Sequence, residues 1–422
     1  MNTSVANKFN DAKFSKTDIF LFLLLAYISS GTSVISNSLI SIAVVFVVSG
    51  LVFFKRGYTI NRNMIVVISL VLIFILVHTI INMRLPPSFS SRIIMLIMLT
   101  YFVVSIIGEH FFYLLYKVVY YLTLISLLLF LLQNLQFGFF YDLTLQIQDI
   151  LQIPPVDYDG LYSSNIIIYT VNTTSFHRNC GFMFEPGAFA SVIGIALYFS
   201  VVNNKFRIFA RENIVLTIGM ITTFSTTGYL MFIVILVFIS VNRSEFMGKQ
   251  SNIGIYLFLP ISIIIAIGIF QLEFVGDKII DVIAGSESQL NRSYYTTIEG
   301  QQVSLGRFAG LLYDLEDFVE NPIIGFGGNR EVSANANFYM SMRSINGFSG
   351  FIAQFGIYGT ILLLIGLIRS SILLKVILKY RYAVFLPLLY MLANFSFEFI
   401  LAPLFLTIVL YALAISGRKE KL

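Results

Sequence analysis

The sequence predicts an all-α polytopic membrane protein, and three observations carry that reading. The chain of 422 residues is 57% hydrophobic and only 12% charged, and its mean hydropathy is +0.86. No soluble domain of this length conceals so much apolar surface. The apolar residues also fall in runs of membrane-crossing length, separated by short basic clusters. One integral membrane domain, 1–422, is therefore expected.

About twelve helices of roughly the ~20 residues a bilayer requires can be placed. The first five cover 18–30, 38–54, 64–82, 93–107 and 111–132. A loop at about 133–185 follows, and then a sixth helix at 186–202, whose first position is Pro186, a residue suited to a first helical turn. The apolar stretch 213–241, about 29 residues, is too long for one crossing. Its hydroxyl-rich interruption, Thr222-Thr223-Phe224-Ser225-Thr226-Thr227-Gly228, divides it into two short helices. A ninth helix at 253–270 precedes a second long loop, about 271–345. Helices at 347–368, 383–400 and 403–415 close the chain.

The distribution of cations supports this layout. With twelve crossings, the clusters at Lys8/Lys13/Lys16, Lys55/Arg56/Arg62, Lys205/Arg207/Arg211, Arg243/Lys249, Arg369/Lys375/Lys379/Arg381 and Arg418/Lys419/Lys421 fall on one side, which is then the cytoplasm. Both termini lie there, and both long loops face outward. The weakest point is the turn at Glu109-His110, where only Lys117 is near. Each loop carries an amphipathic helix: 140–151 in the first, ended by Pro154-Pro155, and 307–319 in the second. The latter has its apolar stripe on Phe308, Leu311, Leu312, Leu315 and Val319. Asn321-Pro322 then stops it before a glycine turn, Gly325-Phe326-Gly327-Gly328.

Composition also excludes several functions. The net charge of +5 is dispersed in short clusters, which does not suit nucleic acid. Cys180 is the one cysteine, so an internal disulfide and a cysteine-based metal site are ruled out. His78, His110 and His177 are far apart, and no metal or other cofactor is expected. The chain has no Walker loop for ATP and no Asp-x-Asp-type pair for a nucleotide sugar held by a divalent cation. Charges inside the spans are few, which argues against an ion-coupled transporter.

The residues that remain as site candidates lie on the outward face. Arg178 and Glu185 flank the start of the sixth helix, where free N–H groups and a guanidinium suit an anion. The alternative is a local clasp in which Glu185 caps the helix and Arg178 pairs with it. Arg307 opens the amphipathic helix of the second loop, and Arg343 sits near that loop's end. Asn346 precedes the tenth helix as either a cap or a ligand. Thr226 and Thr227 in the hydroxyl-rich break are substrate-binding candidates, or simply satisfy helix carbonyls. Glu398 reads as an ionisable residue inside a span, needing a partner or cavity, and His78 reads as a buried, hydrogen-bonded histidine.

Taken in order, Arg178-x-x-Gly181-x-x-x-Glu185-Pro186, the Thr-x-Ser-Thr-Thr-Gly break, Arg307 with Asn321-Pro322-x-x-Gly325-x-Gly327, and Asn346-Gly347-Phe348 with Phe355-Gly356-x-x-Gly359 resemble the Wzy-type O-antigen polymerases. These share a superfamily with the O-antigen ligases. The resemblance spans 176–364. It implies a GT-C-like bundle in the bacterial inner membrane with a periplasmic active site. Its donor and acceptor would be undecaprenyl-diphosphate-linked glycans, in a bath of membrane lipid, with a chain-length regulator protein as a further partner and no nucleic acid. It implies metal-independent inverting transfer with Arg178 and Arg307 gripping the diphosphate; Arg343 joins them by position alone, and Glu185 is the candidate base on this chain's own residues. Ligases of the superfamily carry a histidine beside the asparagine at the tenth helix. Ile345 stands there instead, which favours a polymerase over a ligase; the other alternative, a lipid-linked oligosaccharide flippase, predicts inverted repeats and charged mid-membrane residues, and neither stands out.

Overall fold

A computed structural model describes residues 14–33, 36, 38–82, 87–151, 164–166, 168–171, 173, 177–246, 303–304, 307–327, 342–343 and 346–419. It is mostly helical. The helices are α1 (Lys16–Ser30), α2 (Leu39–Lys55), α3 (Arg62–Asn82), α4 (Pro87–Ile107), α5 (Phe111–Leu135), α6 (Phe137–Leu151), α7 (Pro186–Asn203), α8 (Arg211–Thr222), α9 (Thr226–Phe246), α10 (Arg307–Glu320), α11 (Gly347–Leu378), α12 (Phe385–Ser396) and α13 (Pro403–Lys419). Two short ribbons accompany them. β1 (Ser164–Ile166) pairs antiparallel with β2 (Tyr169–Val171), and β3 (Val303–Ser304) pairs parallel with β4 (Met342–Arg343). The expected helix at 253–270, together with Lys8, Lys13, Lys249 and Lys421, lies outside the described residues.

Among the described residues, Arg62–Ile81, Ser90–Leu135, Pro186–Asn203 and Gly347–Leu378 are long and apolar enough to cross a membrane. Shorter apolar helices accompany them at Leu39–Lys55, Thr226–Asn242, Phe385–Phe395 and Pro403–Ser416. Their outer faces are studded with exposed Ile, Leu and Val, as a chain dissolved in lipid requires. Helix α7 differs from the rest. Every residue from Pro186 to Val202 is buried, because α5, α8, α9 and α12 all pack on it. A helix that is apolar all round belongs at the centre of a bundle, and this one carries the site loop at its N-terminus.

Helix ends gather into two sets. At one end, Arg56 pairs with Asp18 at 2.8 Å and Lys117 with Glu212 at 2.7 Å. The second pair draws the region of Glu109-His110 to the end that holds Arg207 and Arg211. At the other end, Phe184 N–H donates to Ser30 O, Leu404 N–H to Ser29 Oγ, and His78 Nε2 sits 2.9 Å from Ile324 O. His78 is buried there, as a structural histidine should be.

Helix α11 is broken at Gly356, whose φ is 61° and ψ −163°. The break removes the helical bonds from the Ile357 and Tyr358 amides to the Ala353 and Gln354 carbonyls. The turn 322–327 replaces them. Phe326 N–H donates to Ala353 O and Gly327 N–H to Gln354 O, while Ile357 N–H donates to Pro322 O and Tyr358 N–H to Ile323 O. Irregular backbone survives beside lipid only when its polar groups are satisfied in this way. The Asn321-Pro322-x-x-Gly325-x-Gly327 pattern is therefore a splint for a broken helix.

Two expectations are corrected. The helix expected at 383–400 ends at Ser396, and Phe397 turns to an extended conformation. Glu398 thus lies outside the helix, exposed in a turn. The helix expected at 347–368 continues to Leu378. Helix α10 has the expected period; Leu311 and Leu312 of its apolar stripe are half-buried, while Leu315 and Val319 face away from the protein. Leu315 is 42% and Val319 73% exposed, whereas Asp314 and Asp317 are 5% and 3% exposed. The carboxylates turn inward because α10 packs on the first turns of α11. There the Ser349 hydroxyl donates to Asp314 Oδ2 at 2.5 Å, and a helix N-terminus favours negative charge.

Candidate functional site

The site begins with the segment 177–185, bent by Gly181 at φ 51°. A Cβ on Gly181 would lie 2.4 Å from the Phe189 ring, so only glycine permits the bend. Asn179 pins the segment from within: its amide donates to Ser126 Oγ and Thr222 Oγ1, and its oxygen accepts from Gly181 N–H. Arg178 then reaches the hydroxyl-rich break. Its Nε donates to Thr223 O and its Nη2 to Phe224 O, both at 3.0 Å. Two of the five N–H donors that a guanidinium carries are so engaged, leaving three for a ligand. Phe224 has a φ of 46°, and the left-handed turn presents these carbonyls.

Glu185 occupies the cap position of α7 in extended conformation, but its side chain makes no capping bond. Nor is there an ion pair to Arg178 among the described residues. The local clasp does not form. The α7 N-terminus instead lacks a side-chain cap, with Arg178 nearby through Ser225, whose Oγ would lie 3.4 Å from a Cβ on Gly187. Cys180, fully buried, feels both charged groups. Burial pushes its thiol well above the ordinary value, Arg178 opposes this and Glu185 adds to it. An uncapped helix start beside a half-free guanidinium is an anion cradle.

The break resolves as follows. Thr222 and Thr223 hydroxyls donate to Gly219 O and Met220 O, satisfying their own helix. Thr226 and Thr227 open α9, half-buried and buried respectively.

The starts of α7 and α11 meet at the Phe397-Glu398 turn. The Phe397 ring would lie 2.6 Å from a Cβ on Gly187, and Phe397 O 2.1 Å from one on Gly347. The N-termini of α7 and α11 therefore abut one aromatic residue, with exposed Glu398 beside them. Asn346 caps α11, accepting from Ser349 N–H at 3.1 Å, so its carbonyl oxygen serves the helix. Asn346→Ala should cost about 1 kcal/mol of stability, the usual worth of such a cap, readable as a lowered thermal midpoint. The backbone also draws the arginines of the second loop together: Ser304 of β3 pairs with Arg343 of β4, and Arg307 begins α10 three residues later.

Sequence reasoning missed Asp314, Asp317 and the true place of Glu398. The first two share a helical face with Arg307, at i+7 and i+10, a spacing readable in the sequence. The place of His177 has no such signal: its ring stacks on Phe137 at 4.4 Å, and its buried Nδ1 has no hydrogen-bond partner among the described residues. Among the described residues no cluster of His, Cys, Asp and Glu could hold a metal ion. Compared with protein-family models, curated proteins and solved structures, the chain shows no significant match.

Proposed function

We propose that this protein polymerises undecaprenyl-diphosphate-linked repeat units at the periplasmic face of the bacterial inner membrane. The described helices, with 253–270, would supply about twelve crossings of a GT-C-like bundle. One observation carries the reading: the N-termini of α7 and α11, at Gly187 and Gly347, abut Phe397 at one end of the bundle, bringing two helix starts and Arg178 around a single turn. That arrangement suits a diphosphate, and an electrically neutral substrate would have no use for it.

In the proposed reaction, a hydroxyl oxygen of the acceptor sugar attacks the anomeric carbon of the donor glycan. The bond from that carbon to the diphosphate oxygen breaks, and its electron pair leaves with the diphosphate. Arg178 and Arg307, with Arg343 beside β3, offset the charge that develops on the leaving group. The hydroxyl proton passes to a carboxylate. Glu185, at the cap position of α7, is one acceptor for it; Glu398, exposed between the two helix starts, is the other.

The test is in vitro polymerisation of a purified lipid-linked repeat unit, which should give a ladder of lengthened glycans. Product only with a lipid A core acceptor would make the protein a ligase, and translocation without chain growth would make it a flippase. Arg307→Ala should abolish the ladder with the protein still present in the membrane; normal chain lengths would remove Arg307 from the reaction. Glu185→Gln and Glu398→Gln separate the two carboxylates. The base should lose about 100-fold or more in rate, in line with general-base catalysis, and the other variant should stay near wild type. If both keep their rate, neither accepts the proton.

A further inference from the structure

The connection between α7 and α8 is built with more effort than a simple turn needs. Lys205 and Phe206 both have left-handed backbones, at φ 53° and 60°, an unfavourable conformation for two successive residues with side chains. Packing and polar bonds over-determine it. Phe206 is buried, its ring 5.4 Å from that of Phe238. The buried Asn213 accepts from Ser200 Oγ at 2.6 Å and donates to Arg207 O at 2.7 Å, and Asn204 Nδ2 donates to Ser200 Oγ.

This framework shapes a cleft of about 560 Å³ lined by Asn203, Asn204, Lys205, Arg207, Phe209 and Ala210. Lys205 and Arg207 are exposed and have no ion-pair partner among the described residues. The N-terminus of α8 opens on it, with Ala210 making no side-chain cap. Phe209 stands 87% exposed at its edge. From there one face of α8 runs Arg211, Ile214, Ile218 and Ile221, spaced i, i+3, i+7 and i+10, with the three isoleucines 41–47% exposed. Cations at the head, an aromatic residue at the shoulder and an apolar track behind match the layout of a phospholipid.

We infer that this cleft binds the phosphate headgroup of an anionic phospholipid, whose acyl chain lies along the Ile214-Ile218-Ile221 face. The site is separate from the one around Arg178. Helix α7 lies between them, its 18 residues spanning about 27 Å at 1.5 Å per residue. A soluble anion would fill the cationic cleft without need of Phe209 or the isoleucine track, which favours the lipid.

The experiment titrates the purified full-length protein, in neutral detergent, with fluorescent phosphatidylglycerol and with phosphatidylcholine of the same chains. Wild type should prefer phosphatidylglycerol. Lys205→Gln with Arg207→Gln should weaken that binding about tenfold or more, and Phe209→Ser should weaken it with no change of charge. Lys375→Gln with Lys379→Gln is the control: the same charge is removed at the same end of the bundle, where Tyr380 also packs on Phe238. That pair should stay within about twofold of wild type, with thermal midpoints unchanged throughout. No preference for phosphatidylglycerol, or equal weakening in both pairs, overturns the inference. Full displacement by millimolar inorganic phosphate with no effect of Phe209→Ser assigns the cleft to a free anion and overturns it too.

Discussion

Arg178→Ala should reduce polymerisation in vitro by at least about 100-fold, the usual scale for removing one preorganised donor from a developing anion. The geometry explains why no other side chain can substitute. Nε and Nη2 are spent on the Thr223 and Phe224 carbonyls, which fixes the plane of the guanidinium and aims its remaining N–H groups. Arg178→Lys keeps the charge but cannot hold two carbonyls and offer a fork at once, so it should recover little of the rate. Alanine also strands two carbonyls at the mouth, costing about 1–3 kcal/mol of stability. Rate and stability must therefore be read separately. Competition by undecaprenyl diphosphate does so: the wild type should be inhibited by this product and Arg178→Ala should not. Equal inhibition of both would show that Arg178 only ties the loop to the break, and the diphosphate reading of this residue would fall.

Much of the bundle was legible because long apolar runs read directly as helices. Pro186, Ser38 and Asn346 mark helix starts in the sequence, and the structure begins helices beside each. The splitting of 213–241 was legible too, from hydroxyls that can satisfy carbonyls where a helix stops. What the sequence concealed are matters of partnership. Gly356 lies in an unbroken apolar run, and nothing local reveals that its helix hands two carbonyls and two amides to a turn some thirty residues earlier. The surroundings of α10 were hidden for a related reason. Period gives the stripe, but whether protein or lipid meets it depends on what α10 packs against, here Ser349. The approach of the α7 and α11 starts at Phe397 was equally hidden, since it rests on two glycines, Gly187 and Gly347, that leave room for one ring and one carbonyl.

The splint makes the second large prediction. Gly356→Ala should destabilise the protein by about 3 kcal/mol or more, since a side chain is both strained at this backbone conformation and obstructed. Its Cβ would lie 2.5 Å from the Ile323 carbonyl group, and backbone cannot yield there without surrendering the four bonds that stand in for the helix. Gly325→Ala should act alike, at φ 63° and with a Cβ 2.4 Å from Ala353 O. Because both substitutions pry apart one seam, the double variant should cost clearly less than the two added together. Gly138→Ala is the control, a helical glycine with nothing within 4 Å of its Cβ. Cys180 supplies the readout, being the sole thiol of the chain and wholly buried. A thiol-reactive dye should label it at a markedly lower temperature in Gly356→Ala and Gly325→Ala, and at the wild-type temperature in Gly138→Ala. Labelling of Gly356→Ala at the wild-type temperature would mean that α11 can run straight past the turn, and the turn would then be a bystander to the helix break.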